Sequence, residues 1–99
     1  MRGKHFSYEI EYTKAADKFF QKNEDIRNLY EEAIRNLITG EHPETVDVRK
    51  IKGKRSEYFR IRLGDYRVIY AIINGKIITI STLLAGSRGD VYKKMSGLR

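Results

Sequence analysis

The spacing of the apolar residues changes near Val46, from the repeat of a helix to the alternation of strands. Before that point, apolar residues recur every three or four positions between Ile26 and Ile38, which predicts an amphipathic helix. After it, apolar and charged residues alternate in four short runs, as they do in strands with one buried face. This order predicts an α+β fold in which helices cover one face of a small antiparallel sheet.

We predict a single domain over residues 1–99, because a chain of this length has room for only one core. Strands are expected at 5–12, 46–52, 58–63, 66–73 and 76–84. Helices are expected from the N-cap Thr13 to about Lys22, and from the N-cap Asn23 to a stop at Gly40. The order is therefore β-α-α-β-β-β-β, with the two-helix hairpin packed on one face of the sheet.

Several classes of protein are excluded by what the sequence lacks. Its longest apolar run, Val68–Ile73, is far shorter than the roughly 20 residues that a membrane-spanning helix needs. There is no cysteine, so disulfides and thiolate metal sites are excluded, and the N-terminus carries no apolar signal core. We expect a cytoplasmic protein with no metal, no small-molecule cofactor and no membrane association.

The net charge of +7 is distributed unevenly along the chain. Residues 1–45 carry seven Lys/Arg and nine Asp/Glu, whereas residues 46–99 carry thirteen Lys/Arg and four Asp/Glu. The first part therefore has a charge of −2 and the second a charge of +9. A basic half of this kind predicts a polyanionic partner, with nucleic acid first, an acidic protein second and a membrane surface third.

Three arginines converge if Gly64–Asp65 is a two-residue turn. In that register Arg62 faces Arg67 and Arg60 faces Ile69, and the alternate residues form the core face. Like charges opposed across a ladder cost up to about 1 kcal/mol per pair. No carboxylate is evident from the sequence on the arginine face, so we interpret the cluster as a phosphate-binding site rather than a solvated strand face.

Apolar residues are also expected on the arginine face, where another element or a partner would have to cover them. In the register of a tight Asn74–Gly75 turn they are Ile69, Ala71, Ile78 and Ile80.

Two residues beyond the last strand extend the candidate site. Arg88 lies between two glycines, which permit a tight turn back over the end of the sheet. Tyr92 follows it as a stacking surface or a hydroxyl donor. Six further basic residues are predicted to contact RNA, namely Lys50, Lys52, Lys54, Arg55, Lys93 and Lys94.

Two segments resemble the RelE/ParE superfamily of bacterial and archaeal toxins from type II toxin–antitoxin pairs. They are residues 60–70, with the pattern R-x-R-x-G-D-Y-R-V-x-Y, and residues 86–92, with an Arg before Val-Tyr. The likeness runs from about Tyr8 to Lys94, and the second segment is typical of the RelE branch. The resemblance implies a RelE-like fold and a toxin that enters the ribosomal A site and cleaves mRNA without a metal.

In that chemistry the 2′-hydroxyl of the substrate attacks the neighbouring phosphorus. By resemblance, Arg67, Arg88 and Tyr92 correspond to the strand arginine, the later arginine and the C-terminal tyrosine of RelE. Arg60 and Arg62 stand where RelE has lysines, and an arginine with a pKa above 12 is a poor general base. His5 and His42 do not match the histidines of other branches, so the proton acceptor is unassigned, and Tyr92 is the candidate proton-handling residue.

Two alternatives remain open at this stage. One is a ParE-like toxin that inhibits DNA gyrase by binding, and the other is an RNA-binding module with no catalysis. The second would need exposed aromatic residues to stack on bases, and Tyr58 is the aromatic expected near the arginines. The resemblance to toxins further implies a cognate antitoxin, which we expect to be acidic and partly disordered, besides the ribosome and mRNA.

Overall fold

The computed structural model describes residues 7–52 and 57–96 of the chain. Its elements are β1 (Tyr8–Tyr12), α1 (Lys14–Gln21), α2 (Glu24–Thr39), a 3₁₀ turn (Pro43–Thr45), β2 (Asp47–Lys52), β3 (Glu57–Leu63), β4 (Tyr66–Ile73), β5 (Ile78–Ser87) and α3 (Arg88–Met95). The α+β class and the predicted element order are confirmed, with α3 added after the last strand. Residues 5 and 6 of the predicted first strand lie outside the described residues.

The five strands form one sheet in the order β1-β5-β4-β3-β2. β1 runs parallel to β5, and the other neighbours are antiparallel. α1 and α2 cover one face, where Phe20 and Tyr30 pack with Ile61 and Val68. α3 lies on the other face, where its Val91 packs in a second, smaller apolar cluster. Within the described ranges, no helix is both long and apolar enough to cross a membrane.

The helix boundaries follow the signals in the sequence. The Thr13 hydroxyl caps α1 by accepting from the Ala16 amide at 3.2 Å, as predicted. Gly40 ends α2 with a φ of +72°, a conformation that glycine adopts without steric cost. Asn23 occupies the N-cap position of α2, but its side-chain amide donates to the Phe19 carbonyl at 2.9 Å instead of capping the helix.

The β4–β5 register differs from the prediction. The prediction of a tight turn at Asn74–Gly75 is wrong, because residues 74–77 form a longer loop and Ile73 pairs with Thr79. The change moves Ile78 and Ile80 from the arginine face to the face that α1 and α2 cover. A bulge then interrupts β5, since Tyr70 pairs with Thr82 while Ile69 pairs with Leu84.

Hydrogen bonds with two residues of the helical hairpin region hold the bulge. The Thr13 hydroxyl donates to the Leu83 carbonyl at 2.7 Å, and the buried hydroxyls of Tyr30 and Thr82 lie 2.6 Å apart. Because the bulge adds one residue, Leu84 faces α3 although Thr82 faces the helix hairpin. The end of β5 is thereby turned so that α3 can fold onto the arginine face.

The β3–β4 register is the predicted one. Arg62 pairs with Arg67, Arg60 with Ile69, and Leu63 with Tyr66 across the turn. Gly64 has a φ of +63°, and no described residue other than glycine has a positive φ. A positive φ at the first turn position only is what a two-residue II′ hairpin requires. Gly64 therefore fixes the register that brings the arginines together.

We predict that Gly64→Ala lowers the free energy of unfolding by about 1 kcal/mol, because a Cβ is strained at this φ. A Cβ at Gly64 would meet no atom within 4 Å, so the cost is that of the backbone alone. Gly75→Ala is the matched control, since Gly75 has an ordinary φ and a Cβ there would make only a 3.7 Å contact. Urea unfolding of both variants makes the comparison, and equal stabilities would contradict the role of Gly64.

Candidate functional site

Arg67 is the buried member of the arginine face. It is only 8% exposed, and its Nη1 donates to the carbonyls of Gly64 and Tyr66, each at 3.0 Å. The same guanidinium therefore stabilises the turn that aligns β3 with β4. Its Nε is buried and has no hydrogen-bond partner among the described residues, and a buried donor without a partner is costly.

Arg60 resembles Arg67, because its Nε is also buried and unpaired among the described residues. The Arg60 side chain is 13% exposed, its Nη2 donates to Asp47 Oδ1 at 3.1 Å, and its buried Nε lacks a partner in the described part of the chain. Asp47 corrects the prediction that this face has no carboxylate, because it pairs with Arg62 in the β2–β3 ladder. The exposed Asp47 carboxylate holds Arg60 in place while leaving part of the guanidinium free.

β2 adds an arginine that sequence reasoning missed. Arg49 is exposed and stands directly opposite Arg60 in the ladder, so both project from the same face of the sheet. The alternation in β2 places Asp47, Arg49 and Ile51 on one face of the strand. Only the register of β2 against β3 shows that this is the arginine face. Arg62 is also exposed, at the end of β3 next to the turn.

α3 brings two more candidate residues to the arginine face. The Ser87 hydroxyl caps the helix by accepting from the Asp90 amide at 3.3 Å, a Ser-x-x-Asp cap that the sequence contains. Val91 is buried against the sheet, and Arg88 and Tyr92 lie one turn apart on a neighbouring side. The Arg88 Cζ lies 5.8 Å from the centre of the Tyr92 ring. Where the two glycines beside Arg88 indicated a tight turn, the chain instead begins a helix.

Tyr92 is the residue of α3 whose pKa the arginines change. The Arg60 guanidinium lowers the pKa of Tyr92 most, and the positive charges of Arg67 and Arg88 lower it further. The slight burial of the side chain acts in the opposite direction. Tyr92 is 41% exposed, so its hydroxyl can reach a bound molecule. We call Arg60, Arg62, Arg67, Arg88 and Tyr92 the arginine cluster.

The arginine cluster has the properties of an anion site. Guanidinium groups bind phosphate oxygens through paired, charge-assisted hydrogen bonds, and buried donors without partners are ready to make them. The donors of Arg60 and Arg67 are fixed in the sheet, so they need little reorganisation when charge develops on a bound group. Among residues 7–52 and 57–96, no group of three or more His, Cys, Asp or Glu is arranged to hold a metal ion.

Six basic residues outside the arginine cluster were predicted to contact RNA, and the structure does not bring all of them to the arginine face. Lys50 projects from the opposite face of the sheet, opposite Phe59, and forms an ion pair with Glu57 at 2.6 Å. Lys93 and Lys94 are exposed on α3. For the other three, Lys52 is described only by its backbone at the end of β2, and Lys54 and Arg55 lie outside the described residues.

The apolar part of the arginine face is covered by the chain itself. Ile69 is fully buried and packs with Leu84 and with Val91 of α3, so the expected cover is this helix. Tyr58 is 9% exposed and belongs to the same cluster. The prediction that Tyr58 is an exposed aromatic beside the arginines is therefore wrong, since the α3 that covers it was not foreseen.

The chain is similar to known proteins in both sequence and fold. The family model described as "ParE toxin of type II toxin-antitoxin system, parDE" matches residues 8–89. The chain is similar to a chain of the archaeal RelE–RelB complex from Pyrococcus horikoshii OT3, with 31% identity, a TM-score of 0.61, and coverage of 85% of this chain and 98% of that chain.

A second similar structure is the RelB–RelE antitoxin–toxin complex from Methanococcus jannaschii. The identity is 25% and the TM-score 0.52, with coverage of 84% of this chain and 95% of that chain. No curated protein sequence matches the chain significantly. The family match spans most of the chain, from β1 into the start of α3, and includes the β3–β4 arginines. The chain therefore belongs to the ParE toxin family of type II toxin–antitoxin systems, within the RelE/ParE superfamily.

Proposed function

We propose that this toxin is a metal-independent endoribonuclease that cleaves mRNA on the ribosome. The observation that carries the proposal is that Arg60 and Arg67, whose Nε atoms are buried and unpaired among the described residues, share one face of the sheet with Arg88 and Tyr92 of α3. Three cations that together lower the pKa of a phenol suit a reaction that develops negative charge on a phosphate. The similarity to RelE in two toxin–antitoxin complexes supports the same conclusion.

The reaction needs placement of the RNA, charge stabilisation and two proton transfers. The 2′-oxygen forms a bond to phosphorus as the bond from phosphorus to the 5′-oxygen breaks, which leaves a 2′,3′-cyclic phosphate and a 5′-hydroxyl. Arg60 and Arg67 stabilise the phosphate oxygens, because an arginine keeps its proton at any ordinary pH. Tyr92 is the residue in the arginine cluster suited to exchange a proton, and the ribosome supplies the remaining part of the chemistry.

An antitoxin is the second partner that we propose. Both solved structures compared above are complexes of RelE with RelB. The C-terminal half of the chain carries a charge of +9, and the arginine cluster is its concentrated part. An acidic, partly disordered antitoxin would bind such a surface by charge complementarity and would exclude RNA from it.

A second candidate function is inhibition of DNA gyrase by binding, in the manner of the ParE branch. The family match favours it, because the matching description is that of a ParE toxin. A plain RNA-binding module centred on the arginine cluster has less support, since Tyr58 is buried and offers no surface for base stacking there. Expression in bacteria distinguishes the endoribonuclease from the gyrase inhibitor. Messenger cuts within translated codons that vanish when translation is blocked indicate the nuclease, whereas growth arrest without cuts indicates gyrase.

We predict that Arg88→Ala lowers the rate of mRNA cleavage by at least about 100-fold, the usual cost of removing one charge-stabilising donor. Arg88 is exposed, so its loss changes the free energy of unfolding by less than about 0.5 kcal/mol. Arg35→Ala is the matched control, because Arg35 is an exposed arginine on α2, away from the arginine cluster. Quantitative primer extension measures the cuts, and wild-type cleavage by Arg88→Ala would remove Arg88 from the site.

Arg67→Ala is a less direct test of the site than Arg88→Ala, because Arg67 is buried. Its Nη1 holds the turn carbonyls of Gly64 and Tyr66, so the substitution affects the hairpin as well as the site. Arg67→Lys keeps the charge but loses the paired geometry of the guanidinium. Cleavage by this variant is interpretable only beside a measurement of its unfolding.

We predict that Arg60→Leu raises the pKa of Tyr92, because the cation that stabilises the phenolate is removed. Alkaline titration followed by ultraviolet difference spectroscopy measures the phenolate, and Tyr92→Phe identifies which part of the signal is Tyr92. Burial raises the pKa of Tyr70 to about 12, so Tyr92 ionises at lower pH than that tyrosine.

The control for this titration is Arg49→Leu, which removes an arginine from the same face that does not act on Tyr92. We expect it to leave the Tyr92 titration nearly unchanged. Identical curves for Arg60→Leu and the wild-type protein would contradict the effect of Arg60 on the pKa of Tyr92.

A further inference from the structure

A second basic surface lies at the same end of the sheet, on the other flank of α3. It is an open groove of about 520 Å³ between α1 and α3, which we call the lysine groove. Ligand pockets typically have volumes of about 300–1,000 Å³. The residues that matter here are Lys18, Phe19, Lys22, Tyr66, Ser87 and Lys94. Of these, Lys94 alone belongs to the basic residues predicted to contact RNA.

The charge of the lysine groove is positive and largely uncompensated. Lys18, Lys22 and Lys94 are exposed, and none of them forms an ion pair with another described residue. Asp90 is the carboxylate that lines the groove, and its backbone amide binds the cap of α3. Three ammonium groups against one carboxylate leave the groove attractive to a polyanion.

The floor of the lysine groove is aromatic. The rings of Phe19 and Tyr66 lie 5.3 Å apart between centres, at an interplanar angle of 60°. Both side chains are half-buried, so part of each ring is open to the groove. Half-open aromatic rings beside a row of cations are what proteins use to bind single-stranded nucleic acid, through base stacking and phosphate contacts.

The lysine groove continues directly from the arginine cluster. Tyr66 precedes Arg67 along β4, so the two side chains project from opposite faces at the same end of the sheet. Gly86 lines the groove and pairs with Arg67 across the β4–β5 ladder. A strand of RNA leaving the arginine cluster therefore reaches the groove by passing over one end of the sheet.

We propose that the lysine groove binds the stretch of single-stranded RNA that adjoins the phosphate held in the arginine cluster. The proposal rests on the proposed function, because it extends the same RNA track. An acidic segment of a protein is the other polyanion that fits the charge. The aromatic floor and the continuity with the arginine cluster favour RNA, since a peptide carboxylate needs neither.

The test is the salt dependence of RNA binding by Lys18→Ala/Lys22→Ala. Each contact with a single-strand phosphate contributes about 0.7 to the slope of log affinity against log salt. We expect the double variant to lose about 1.4 of this slope and to bind more weakly at low salt. Fluorescence anisotropy with a labelled 2′-O-methyl RNA measures binding, and the blocked 2′-oxygen prevents cleavage.

Arg35→Ala/Lys76→Ala is the matched control, because it removes the same charge from two exposed residues that do not line the lysine groove. The proposal predicts a wild-type slope for the control. A wild-type slope for the groove variant, or an equal loss in both, would overturn it. Circular dichroism and thermal melting establish that both variants are folded.

The two proposals fail in distinguishable ways. A slope that falls in Arg88→Ala but not in the groove variant would overturn the lysine groove and leave the arginine cluster as the RNA site. A slope that falls in the groove variant, with no cleavage on ribosomes by the wild-type protein, would support the groove and reject the nuclease. Binding of an acidic peptide with no binding of the RNA would overturn the groove proposal.

Discussion

The register between β3 and β4 is the constraint on which the candidate site depends. Two residues, Gly64 and Asp65, join the strands, and the positive φ of Gly64 sets how they align. Because side chains alternate along a strand, this alignment sends Ile61 and Val68 into the main core and the arginines to the opposite face. A slip of one residue would exchange the two sets and lose both the core and the arginine cluster.

The chain tolerates the opposed arginines because neighbouring groups compensate part of their charge. Arg67 donates to two carbonyls of the turn, and Arg60 donates to Asp47. The compensation is incomplete, since both Nε atoms remain buried without partners among the described residues. Stability and site are therefore coupled at Arg67, which holds the hairpin with one nitrogen and keeps another free. A bound phosphate would satisfy the groups that folding leaves unpaired.

The parts of the fold that the sequence predicts are those encoded by short-range signals. The Gly64–Asp65 turn and the alternation around it predict the β3–β4 register, and Thr13 and Gly40 mark helix ends. The β4–β5 register was not predictable from Asn74–Gly75, because the loop is longer than the dipeptide implies and its length changes which face Ile78 and Ile80 occupy.

Long-range pairing accounts for the remaining differences. The bulge in β5 depends on hydrogen bonds with Thr13 and Tyr30, which are far away in the sequence. Asp47 and Arg49 could be assigned to the arginine face only once β2 was aligned with β3. α3 was missed because two glycines beside Arg88 indicated a turn, although Ser87 is a helix cap. Its packing on Ile69 explains why Tyr58 is buried.

The most direct test of the account uses purified toxin and ribosomes that carry a defined mRNA. Two versions of the message are compared, one of RNA throughout and one with a single 2′-deoxy nucleotide at the cut position. The account predicts that the first is cut on the ribosome to leave a 2′,3′-cyclic phosphate, and that the second stays intact. Cutting of the 2′-deoxy message at the same position, or no cutting of either, would contradict the proposal that the arginine cluster promotes attack by the 2′-hydroxyl.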